Sequence, residues 1–186
     1  MNVEPAIIDV MIVIDTISLT QNSSRQNSTN ENPATCDAAL AFMITDLDHA
    51  IAGNGTADLH IRVRPRDALR IASICSNPLD NQISLYDFGH RSGDNVLDLA
   101  GMKKLVVTRI AAVPTPNQAY HLPPRVTFQN ANFYAQQIDV NGSGREDFYV
   151  KFVVYGLASG RTRPIHGHFQ WNASITVSPG GSPARG

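Results

Sequence analysis

A length of 186 residues and a mass of 20.2 kDa match one ordinary domain, and 42% hydrophobic residues supply enough material for a core of that size. Only 17% of the residues are charged, the net charge is -1 and the pI is near 6.6, which argues against a disordered polyelectrolyte and against a general nucleic-acid binder. No apolar run approaches the roughly 18–20 residues of a bilayer-crossing helix, so no membrane partner is expected.

Helix formers are scarce. The chain holds three Lys and three Glu, and thirteen of its sixteen acids are Asp, a residue suited to turns and caps rather than helix interiors. In chain order, residues 8–16 place Ile8, Val10, Ile12 and Ile14 on one face and Asp9, Met11, Val13 and Asp15 on the other, the pattern of a central strand ended by Asp15. Residues 20–35 are rich in Ser, Asn and Gln and read as a long surface loop. Residues 38–45 form a second apolar strand, followed by a turn at Gly53-Asn54-Gly55. Residues 58–64 and 68–75 read as a strand pair hinged on Pro65-Arg66-Asp67. Residues 82–88 and 104–112 are two further strands, separated by a loop at 90–94, and Pro114, Pro116, Pro123 and Pro124 mark a rigid connection. Residues 132–140 and 148–155 flank Asn141-Gly142-Ser143-Gly144 and read as a β-hairpin, and residues 166–177 alternate cleanly. With eight or nine strands and no convincing three-turn helix, the expected fold is all-β, an antiparallel β-sandwich of jelly-roll-like form. It forms one domain over residues 1–177, with a flexible tail at 178–186.

Several residues could carry chemistry. In an extended strand His166 and His168 share a face, an arrangement open to two metal ligands. A cupin-like site also needs a carboxylate soon after, and no Glu follows Glu146. A polar stripe with Phe169 and Trp171 buried behind it is therefore favoured, and no metal or other cofactor is expected. His60, Arg62, Arg64 and Arg66 alternate with apolar residues, and guanidinium groups so placed could grip a small-molecule or carbohydrate anion. Charges along an edge strand that discourage pairing would give the same pattern. Arg62, Arg64, His166 and His168 are the candidate ligand-binding residues. Asp9 and Asp15 lie about 20 Å apart on a straight strand, too far for one catalytic dyad. Cys36 and Cys75 lack the neighbouring His of a copper site and read as small hydrophobes. No phosphate loop, dinucleotide loop or nucleophile elbow is present, so no catalytic residues are assigned and a non-enzymatic role is expected. The first apolar run has no basic flank and is split by Asp9, so the cytoplasm is the expected compartment.

The opening Ile8-Asp9-Val10-Met11-Ile12-Val13-Ile14-Asp15-Thr16 and the closing run from Gly167 to Val177 resemble the AidA/PixA inclusion-body protein family of bacteria. Between them, Gly55-Thr56-Ala57-Asp58-Leu59, Asn132-Phe133-Tyr134 and Tyr149-Val150-Lys151-Phe152 with Tyr155 are similar to the family's internal pattern. Asn172 and Ala173 stand where the family tends to carry an acid and a proline. The resemblance implies a cytoplasmic protein linked to inclusion bodies, to quorum-sensing-regulated expression and to host association. Its implied partner is another copy of itself, and it transfers no catalytic residues.

Overall fold

The computed structural model describes residues 4–21, 28–114, 126–157 and 162–180. Strand β1 (Ile7–Ile14) alternates as its sequence requires, with Ile8, Val10, Ile12 and Ile14 buried and Ile7, Asp9 and Met11 exposed. Asp15 ends it and caps the five-residue helix α1 (Thr16–Thr20), accepting from the amides of Ile17 and Ser18 at 3.1 and 3.2 Å and from the Ser18 hydroxyl at 2.6 Å. The Ser18 hydroxyl above all, with these amides, outweighs burial and holds the Asp15 carboxyl below the usual carboxylate range. Asp15→Ala should cost about 1 kcal/mol, measured by urea unfolding.

Two short elements interrupt the stretches read as a polar loop and one continuous strand. These are β2 (Ala34–Cys36) and a 3-10 turn (Ala38–Leu40), which leads into β3 (Ala41–Thr45). There follow β4 (Ala50–Ala52), β5 (Asp58–Val63), β6 (Ala68–Cys75), β7 (Gln82–Gly93), β8 (Lys103–Pro114), β9 (Val126–Asp139), β10 (Gly144–Tyr155) and β11 (Ile165–Pro179). β7 absorbs most of the loop expected at 90–94, and β11 runs on to Pro179, so Ser178 and Pro179 belong to a strand and not to the tail. Residues 181–186 of that tail, and Pro116, Pro123 and Pro124 of the connection, lie outside the described residues.

The strands form two sheets, one ordered β3-β1-β6-β9-β8 and the other β4-β5-β11-β10-β7 with β2 also beside β11. Their inner faces meet in one apolar core that includes Ile12, Leu69 and Ile138 from the first sheet and Phe152, Phe169 and Trp171 from the second. Phe152 and Phe169 stack there with ring centroids 5.6 Å apart. The fold is thus the all-β sandwich that the alternation calls for. No helix of the described residues is long and apolar enough to cross a membrane.

The connectivity departs from the sequence reading in three ways. Antiparallel pairing dominates, but β1–β6, β11–β5 and β11–β2 run parallel, so both sheets are mixed. Parallel neighbours need a long crossover, and here the chain between β1 and β6 supplies strands to the opposite sheet. Second, β5 and β6 are not a pair, because Arg64 to Asp67 carry the chain from one sheet to the other. Third, β9 and β10 are not a hairpin, because residues 140–143 make the same crossing. The two crossings are joined: the Arg66 amide donates to the Val140 carbonyl at 2.9 Å, and the Val140 amide to the Asp67 carbonyl at 2.8 Å.

Candidate functional site

The residues singled out from the sequence do not form one site. Arg62 is exposed on β5, opposite Ser178 of β11, and His60 on the same strand meets the Ser178 hydroxyl at 2.8 Å. Arg64 lies beyond the strand end, where its guanidinium donates to both carboxylate oxygens of Asp67 at 3.3 Å. It holds a sheet crossing together. Arg66 sits in that turn with φ 81°, so the four basic groups do not line one strand face. His166 and His168 lie at the other end of β11, at least ten residues from the Ser178 that faces Arg62, or about 33 Å or more along the strand.

His168 is half-buried rather than solvent-facing. Its backbone amide donates to the Ser28 hydroxyl at 2.9 Å, its ring meets Tyr86 edge-on at 5.9 Å, and its Nδ1 is enclosed without a hydrogen-bond partner. Phe169 and Trp171 are buried behind it, as the alternation requires. Among the described residues no group of three or more His, Cys, Asp or Glu could hold a metal ion. Cys36 and Cys75 are both buried, and burial pushes the Cys75 thiol up, away from the range of an activated nucleophile.

Glu146 is a buried acid that sequence reasoning passed over. It occupies a core-facing position of β10 and is fully enclosed, with Oε1 3.0 Å from His90 Nδ1 and Oε2 accepting the Leu97 amide at 2.9 Å. Its two bonds tie β10 to His90 of β7 and to the Leu97 amide in the β7–β8 connection. Its work is structural.

The most distinctive surface lies at the far edge of the first sheet. β9 pairs with β6 only from Gln136 to Asp139, whereas it pairs with β8 from Val126 to Gln137. Residues 105–114 and 126–135 therefore extend past the sheet as a two-stranded arm about 33 Å long. Its residues include Val106, Ile110, Val126, Phe128 and Tyr134, at 61%, 72%, 43%, 72% and 70% exposure, which continue the parity of the core-facing Gln136 and Ile138. Across those twenty residues Arg109 is the one charge. Among the described residues no strand pairs with the outer edge of β8. The sequence pattern places strands at 104–112 and 132–140, but the same alternation would be found in strands covered by an opposing sheet.

Residues 6–177 match the family model of PixA, an inclusion body protein. The chain belongs to the PixA inclusion body protein family. A crystal structure of a PixA-family inclusion body protein from Burkholderia cenocepacia superposes with a TM-score of 0.68 at 16% identity, covering 96% of this chain and 99% of that one. At that identity the match shows a shared PixA fold. A solution structure of Amebosin aligns over 71% of this chain and 93% of its own at 11% identity, with a TM-score of 0.18 that marks no common architecture. No curated protein matches the sequence.

Proposed function

We propose that this PixA-family protein is a non-enzymatic, self-associating β-sandwich whose copies join through the β8–β9 arm, in keeping with a family whose members are called inclusion body proteins. One observation carries the reading: a long, nearly uncharged ribbon leaves large apolar side chains in water. A lone two-stranded ribbon is marginal in water, and an unprotected edge is a template for another strand. A second copy fits because a twofold axis brings an identical apolar ribbon and an identical free β8 edge onto the first. A ribbon about 33 Å long and about 10 Å wide offers roughly 330 Å² of flat area per face. One face alone falls short of the roughly 800 Å² per partner of a standard stable interface, and backbone pairing along the free β8 edge adds to it. Arg109 is then the single charge each copy brings to the contact. We place the assembly in the cytoplasm, where Cys36 and Cys75 remain thiols.

Size-exclusion chromatography with light scattering tests this reading. The native chain should run as a dimer or larger. Ile110→Asp and Phe128→Asp, both at positions 72% exposed, should weaken association by at least about tenfold while leaving the unfolding midpoint nearly unchanged. A native protein that stays monomeric at high concentration overturns the proposal, as does association indifferent to both substitutions.

A further inference from the structure

Where β9 parts from β6, a gap opens between the sheets, and the edge strand β7 of the opposite sheet borders it. The resulting cleft has a volume of about 650 Å³, within the size range of small-molecule sites. Its walls are largely apolar, with Ile71 from β6, Ile83 and Leu85 from β7, and Val106 and Tyr134 from the base of the arm. Two cations, Lys104 and Arg163, are among the lining residues, and no carboxylate is. Two lining residues carry an unsatisfied polar atom, the Tyr86 hydroxyl and Gln136 Oε1, and of these the amide oxygen can only accept. Gln136 is 7% exposed and donates through Nε2 to the Leu85 carbonyl at 3.3 Å, yet its Oε1 has no donor. Buried amide oxygens are almost always paired, so one left unmet in the wall of a cleft marks a place for a donor that arrives with a ligand.

These features select a ligand class. An apolar body suits the walls, a negative end suits Lys104 and Arg163, and a hydrogen-bond donor on the apolar part suits Gln136. We propose that the cleft between β7 and the β8–β9 arm binds an amphipathic organic carboxylate whose apolar part carries one hydrogen-bond donor. The cleft shares Val106 and Tyr134 with the base of the arm, but Ile110 and Phe128 at the arm's far end do not line it, so substitutions there address association alone.

Isothermal titration calorimetry with three indole probes separates the elements of the proposal. Indole-3-acetate should bind once per chain. Tryptamine carries the same ring with a cationic end and should bind at least about tenfold more weakly, as should indole-3-acetate to Lys104→Glu. 1-Methylindole-3-acetate lacks the N–H donor and should bind about fivefold more weakly than the parent to the native chain. It should equal the parent in the near-isosteric Gln136→Met. Phe128→Asp should retain binding of indole-3-acetate even where it abolishes association, so the two proposals fail independently. Absence of saturable heat with indole-3-acetate overturns the assignment. So does equal affinity for tryptamine, or a methyl effect that persists in Gln136→Met.

Discussion

Trp171→Ala should cost about 3–5 kcal/mol, the largest loss available from a single truncation in this core. Trp171 is the only tryptophan and is fully buried on β11, level with Val150 of β10 on one side and Cys36 of β2 on the other. Removing the indole leaves a void that flanking strands paired on both sides can close only in part. Against a typical total stability of roughly 5–15 kcal/mol, such a loss unfolds a large part of the population under mild denaturant. Trp171→Phe should behave differently. The indole Nε1 has no hydrogen-bond partner, and a buried unmet donor costs about 1–3 kcal/mol. Phenylalanine gives up some buried area but also removes that donor, so its net loss should stay below about 2 kcal/mol. Urea unfolding followed by far-ultraviolet circular dichroism measures both variants without relying on the fluorophore that they remove. An alanine variant within about 1 kcal/mol of the native chain would contradict this account of the core.

Trp171 also shows how far the sequence could be read. Alternation along residues 166–177 places Phe169 and Trp171 inside and His166 and His168 on the other face, and the same rule orients β1. Period-two patterning reports which face of a strand is buried, because burial is what selects the residues. It does not report which strand lies alongside, or in which direction. Residues 58–75 and 132–155 each show strand, turn, strand, and adjacency in sequence suggests pairing. In the folded chain both turns change sheets, a choice made by the buried Asp67 carboxylate and by the amide and carbonyl of Val140, which no local pattern reveals. The basic alternation at His60, Arg62, Arg64 and Arg66 fails as a site for the same reason, since the strand ends at Val63 and Arg64 turns to Asp67. Of the arm, residues 104–112 and 132–135 are legible as strand and 126–131 are not, and nothing marks any of them as exposed. Apolar alternation in β8 and β9 looks the same whether an opposing sheet covers it or not. The opposing sheet ends at β7, which leaves the ribbon uncovered and opens the cleft at its base.

Asp67→Ala should destabilise the chain by about 2–4 kcal/mol, because one buried carboxylate ties together three segments. Asp67 is 4% exposed; Oδ1 accepts the Ala6 amide at 2.9 Å just before β1, and Oδ2 accepts the Arg64 amide at 2.8 Å just after β5. The Arg64 guanidinium donates to both oxygens, and the Asp67 carbonyl receives the Val140 amide of the second crossing. Burial by itself pushes this carboxyl up, but the amides of Ala6 and Arg64, with the Arg64 guanidinium, outweigh it and hold the group below the usual aspartate range. A depressed folded-state value means the charged form is the one that stabilises. The contribution is therefore complete above the unfolded aspartate value of about 3.9 and is lost as pH falls through the lower folded-state value. Urea midpoints of the native chain should decline from about pH 5 toward about pH 2, and those of Asp67→Asn should start lower and decline less. The variant should keep a residual slope, since Asp15 and Asp46 are held below the usual range as well. Native and Asp67→Asn curves that run parallel across that interval would show that the carboxylate charge does not stabilise the crossing. A Gln136→Met control lies in the wall of the cleft, away from these bonds, and should leave the pH slope unchanged.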